Sequence, residues 1–140
     1  MNIQAALLCD FAQVREGVLY VSSGGINRLF RPEGQPSPLG IFLGVILEAE
    51  QDEAALVHEV RVTVTREGGE EEIGRLTAAL QGHQNPTAAV GILPGEPIIV
   101  PIAIPLTGVM ISGLGMYDIR VSVDGGVPEI RTVYAVAPPQ

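Results

Sequence analysis

The chain has 140 residues, enough for one domain with its own core, and a net charge of −8. Its eight basic residues are all arginine, with no basic stripe to hold nucleic acid and nothing to draw the chain onto an anionic membrane surface. One cysteine excludes an internal disulfide and a cysteine-based zinc site, and fits a reducing, cytoplasmic setting.

Hydrophobic residues reach 46% while aromatics stay at 4%, so Val, Ile, Leu and Ala must build the core, and these suit strands. Residues Ile3 to Cys9 read as the first strand, with Cys9 sharing the parity of Ile3, Ala5 and Leu7 and hence a place in the core. "AALLC" has a passing likeness to a lipoprotein signal, but Leu8 stands where a small residue is needed and the leader is too short. No basic n-region precedes it, so no signal peptide is expected. Val18–Ser22 and Ile26–Phe30 read as a hairpin around Ser22-Ser23-Gly24-Gly25, which lacks both the nucleophile-elbow and the P-loop pattern and reads as a turn. Arg28 and Arg31 read as a solvent-facing pair, with anion or carboxylate binding as the alternative.

Residues 39–48, "LGIFLGVILE", are apolar on both parities and predict a central strand covered on both faces, or a partner surface. A hairpin centred on Gly68-Gly69 follows. Leu56, His58, Val60, Val62 and Val64 share one face before it; Ile73, Leu76, Ala78 and Leu80 point inward after it, with a phase slip that predicts a β-bulge at Gly74. Glu70-Glu71-Glu72 reads as a solvated hairpin tip, and His83 lies in the polar turn "QGHQNP". Residues 97–117 are free of charge, but Pro97, Pro101 and Pro105 break any membrane helix. Their shared parity places three missing N–H groups on one side and predicts a sheet edge. The cleanest alternation is Tyr117, Ile119, Val121 and Val123, running into an Asp124-Gly125-Gly126 hairpin turn. The return strand, residues 129–136, groups Ile130, Thr132, Tyr134 and Val136 on one face.

The chemistry-bearing residues do not assemble into a known motif. Cys9 beside Asp10 would need a histidine base, with His58 or His83 the candidates. Asp10, Asp52, Asp118 and Asp124 would have to converge to hold calcium, and no loop has the D-x-D spacing. No catalytic residue, cofactor site or metal site is assigned.

The segment "ALLCDFAQVREGVLYVSSGGINRLF", at Leu7, Leu8, Cys9, Asp10, Ala12, Gly17, Gly25 and Phe30, resembles the opening of a family of small uncharacterised bacterial proteins. "GMYDIRVSVDGG", at Gly115, Tyr117, Asp124 and Gly125, resembles that family's closing strand and turn. The resemblance implies a β-sandwich and no particular activity.

The expectation is therefore one all-β domain over residues 1–140, an antiparallel two-sheet sandwich of eight or nine strands, Ig-like or C2-like. The expected function is non-enzymatic binding or structural work through protein contacts, as a homo-oligomer or with a protein partner, and without nucleic acid or membrane insertion. The apolar surplus in "GIFLGVIL" and "IIVPIAIPLTGVMI" motivates it. The alternatives are a small-molecule or lipid binder with an apolar cavity between the sheets, where the face patterns near Gly74 and Gly108 are uneven, and, more remotely, an enzyme using Cys9 and Asp10.

Overall fold

The structure is a computed structural model that describes residues 1–67, 71–81 and 91–140. The turn glycines Gly68 and Gly69, Glu70 of the acidic tip and His83 lie outside the described residues. The chain is all-β: β1 (Asn2–Cys9), β2 (Phe11–Arg15), β3 (Val18–Ser22), β4 (Arg28–Phe30), β5 (Pro36–Pro38), β6 (Phe42–Ala49), β7 (Val57–Arg66), β8 (Glu72–Gln81), β9 (Ile98–Pro105), β10 (Met110–Ser112), β11 (Gly115–Val123) and β12 (Glu129–Val136), with one 3₁₀ turn at Glu53–Ala55.

Twelve strands among the described residues exceed the eight or nine expected. β5 and β10 are three residues each, too short to show a period. The strands form a five-stranded sheet in the order β4-β12-β11-β7-β8, a three-stranded sheet β1-β6-β9, and two small ribbons, β2-β3 and β10-β5. Pairing is antiparallel except between β4 and β12, which run parallel. This corrects the predicted partner of Val18–Ser22. That strand pairs with Phe11–Arg15 around Glu16-Gly17, and Arg28–Phe30 pairs with the last strand.

One hydrophobic cluster lies between the two larger sheets. It joins Ala6 and Leu8 of β1, Leu43, Val45 and Leu47 of β6, Val60, Val62 and Val64 of β7, Tyr117, Ile119 and Val121 of β11, and Val133 and Ala135 of β12. Each fully buried Leu or Ile here contributes roughly 1.5–3 kcal/mol over an exposed one. β6 is central, as its two-sided apolar pattern predicts: its other face is covered at Phe42 and Gly44 by the β2-β3 ribbon, where Phe11 meets Phe42 edge to face at 5.0 Å.

The alternation in β11 is realised, with Tyr117, Ile119 and Val121 inward. Asp124 and Gly125 take φ of 51° and 71°, the consecutive positive values of a type I′ hairpin turn. The face of β12 is the reverse of the one its bulkiest residues suggest. Register pairs Tyr117 with Val133 and Ile119 with Arg131, so Arg131, Val133 and Ala135 point inward and Ile130 and Tyr134 lie exposed outside. Between β7 and β8 the register slips at Val64/Thr65, leaving Ile73 as the extra residue beside Gly74, the predicted bulge. A Cβ at Gly74 would stand 2.8 Å from Val109 Cγ1, so the bulge also lets β8 pack against that side chain.

Candidate functional site

Cys9 is fully buried at the end of β1 and its thiol donates to Phe42 O at 3.6 Å. Burial pushes the thiol up from its ordinary range, which opposes thiolate formation. Its parity is that of Leu7, so it lies on the face under the β2-β3 ribbon and outside the main cluster. Asp10 is exposed and donates its N–H to Ser22 O. The Ser22-Ser23-Gly24-Gly25 stretch returns the chain across the end of β1: Gly25 and Ile26 both donate to Leu8 O, at 2.8 and 3.1 Å. A Cβ at Gly24 would fall 2.7 Å from Leu7 Cδ1. These contacts account for the segment as a chain crossing.

His58, the candidate base, is buried with both ring nitrogens engaged. Nδ1–H donates to Asp124 Oδ2 at 2.6 Å and Nε2–H donates to Glu53 O at 2.7 Å. A carbonyl and an ionised carboxylate both accept, so the geometry favours a ring protonated at both nitrogens and positively charged. The bond to Asp124, then the one to Glu53, holds its pKa above the usual histidine value, and His58 in turn holds Asp124 below the carboxylate range. The cation pins the 3₁₀ turn and the β11-β12 turn to the start of β7.

The arginines divide by task. Arg31 spends its fork on three carbonyls, those of Pro38, Phe30 and Leu39, and so fixes the loop after β4. It is a loop clip, which corrects the solvent-facing reading; Arg28 is exposed. Arg66 donates to Ser112 O and Leu114 O and lies 5.8 Å over the Tyr117 ring, whose hydroxyl reaches Ser112 O and Gly113 O. Arg131 Nε crosses from β12 to Ala6 O of β1 at 2.7 Å, tying the two larger sheets along one side. A planar guanidinium can grip several carbonyls at once, which an ammonium cannot do in a fixed plane. Arg61, Arg75 and Arg120 sit on the outer face of the five-stranded sheet, paired with Glu59, Glu72 and Asp118. That neutralised face has the character of a solvated surface.

The four aspartates considered for calcium serve separately. Asp10 is in the β1-β2 bend, Asp52 accepts from Glu53 N–H, Asp118 accepts from Thr132, and Asp124 holds His58.

The feature left over is a groove. β8 is the edge strand of the five-stranded sheet, and its inner side chains lack full cover: Leu76 and Leu80 are half-buried and Ala78 is exposed. Between β8 and β9 lies an apolar groove of about 450 Å³, lined by Leu76, Ala78, Leu80, Ile102, Ile104 and Val14 among others. Thr77 is the one polar residue and no charged residue is present among the described residues that line it. "IIVPIAIP" of the expected interface lines this groove, whereas "GIFLGVIL" is largely consumed by the protein's own core. The sequence does not mark β8 as a binding element; its signals there are the uneven pattern at Gly74 and the edge prolines of β9.

A protein-family model matches residues 4–134. The chain belongs to DUF6941, a family of unknown function. No curated protein matches the chain. Both resembling segments fall on structural corners of this DUF6941 protein: the β1-to-ribbon crossing at Leu7–Gly25, and the Arg66–Tyr117 corner with the Asp124-Gly125 turn. No helix of the described residues is long and apolar enough to cross a membrane.

Proposed function

We propose that the protein is a non-enzymatic binding module acting through protein–protein contacts, with the β8-β9 groove as its docking surface. The carrying observation is an open apolar groove between the edge strands of two sheets, with no charged side chain and no further strand partner at these edges among the described residues. We read those sheets as the layers of a sandwich of the Ig-like or C2-like kind, tied along β1 and β12 and open along β8 and β9. The occupant is an extended segment. Only a main chain satisfies a strand edge while its alternate side chains fill an apolar trough. Cys9 is buried and His58 is engaged at both ring nitrogens, which supports binding over chemistry at these two residues.

The test compares wild type with Ala78→Arg, which places a charge in the groove, by affinity capture at native expression level together with native mass. Loss of association in the variant, with unchanged circular dichroism, is expected. Association that ignores the variant, or none in either protein, overturns the proposal.

The groove's volume also suits a small apolar molecule or lipid chain, the second reading. A thermal shift with a fatty-acid panel that disappears in Ala78→Arg would favour it.

A further inference from the structure

We infer that β8 pairs antiparallel with β8 of a second copy of this chain, and that the groove is complete only in that pair; this names the partner for the docking reading and rests on it. Main-chain direction identifies the open edge. Glu59 N–H donates to Asp124 Oδ1 and Glu59 O accepts from Asp124 N–H, so the Glu59 main chain faces the β11 side. Alternation sends the main chains of His58, Val60 and Val62 toward β8, where they meet Leu80, Ala78 and Leu76. The N–H and C=O groups of Arg75, Thr77, Ala79 and Gln81 therefore point to the edge of β8, which has β7 as its one strand partner among the described residues.

The two edges of the groove differ. On β9, Leu106 N–H donates to Ile41 O, so the even-numbered main chains face β6 and the odd-numbered ones face outward. Two of those, Pro101 and Pro105, have no N–H to give, so β9 is blunted. β8 contains no proline across ten residues. It presents an intact row of donors and acceptors.

β8 is also complementary to itself. In an antiparallel pair centred on Ala78, Leu76 stands opposite Leu80 on the inner face, while Thr77 meets Ala79 and Arg75 meets Gln81 on the outer face. Apolar meets apolar on the inner face, the outer face sets threonine against alanine and arginine against glutamine, and no like charges oppose each other. The contact is isologous and closes as a two-fold dimer. The second copy's Leu76 and Leu80 then wall the open side of the groove, giving the half-buried leucines the cover that they lack in one copy.

The experiment uses the full chain. Sedimentation equilibrium gives the native mass of wild type, Thr77→Pro and Ala79→Pro, substitutions that remove an outward N–H and leave the β7 ladder intact. A fourth protein, Ala78→Cys, is oxidised mildly beside Val127→Cys, which is 92% exposed in the β11-β12 turn. Cys9 is buried, so the new thiol is the reactive one. The expected results are a wild-type dimer, a disulfide-linked dimer from Ala78→Cys that Val127→Cys does not give, and dimerisation weakened about tenfold or more by each proline. A monomer at every concentration overturns the inference, as does a dimer with no cross-link through Ala78. Should the proline variants fail to fold, the cysteine pair decides. A monomer that still captures another protein in a manner abolished by Ala78→Arg overturns the second-copy assignment and leaves the docking reading standing. Groove-dependent uptake of a fatty acid by a monomer, without protein capture, or no groove-dependent association, overturns both.

Discussion

Single residues in this protein do their work by holding main chain, and His58 is the most consequential of them. Its ring is clamped between a carboxylate and a carbonyl, an arrangement that favours the imidazolium in the folded state. Its pKa lies above the ordinary value of about 6.5, so its contribution to stability is complete below that value and is lost as pH rises through the folded pKa. Asp124 lies below the ordinary carboxylate range, so its contribution is present above about 4 and is lost as pH falls through the folded pKa. The pair therefore stabilises most in mildly acidic solution. Wild type should show a higher urea midpoint near pH 5.5 than near pH 8.5, and His58→Gln should flatten that difference. An equal pH dependence in the variant would show that His58 is not the titrating group. Asp124 is half-exposed, so its share is damped by solvent.

At the level of the element, β9 shows what an edge needs. Pro101 and Pro105 lie on the outward parity, and replacing both with alanine would restore two N–H groups to a strand rich in Ile and Val. Such an edge templates further strands. The double variant should scatter light at concentrations where wild type stays clear. It should also lose roughly 0.4–1 kcal/mol per site through a freer unfolded chain, readable as a lower urea midpoint. Clear solutions of the variant at matched concentration would contradict the blunting role. This edge is legible in the sequence because proline carries its meaning locally. So are β11 and the β7-β8 bulge, where apolar and polar residues alternate strictly and then slip. β12 is not: Arg131 faces inward to reach Ala6 O, and the larger Ile130 and Tyr134 are left outside. Bulk was a poor guide there because a tie between sheets displaced it. β4, parallel to a strand about a hundred residues later, has no local signature at all. The groove is invisible for a related reason, since it lies between edge strands of two different sheets.

For the whole molecule, the net charge of −8 sets how copies meet. Two like-charged chains repel over a distance that salt controls, with a screening length of about 8 Å at physiological ionic strength and about 3 Å at 1 M. The proposed contact has no ion pair across it: main-chain hydrogen bonds, leucine and alanine on one face, and Arg75 opposite Gln81 on the other. Salt therefore removes a cost from association and takes nothing from the contact. Self-association should strengthen when sodium chloride is raised from low to near-molar concentration, measured as a falling dimer dissociation constant by sedimentation equilibrium. Apolar burial acts in the same direction, whereas an interface built on the Arg61, Arg75 and Arg120 face would be screened and weaken. The sign of the salt effect thus separates an edge-paired dimer from one docked through the charged outer sheet, using the wild-type chain.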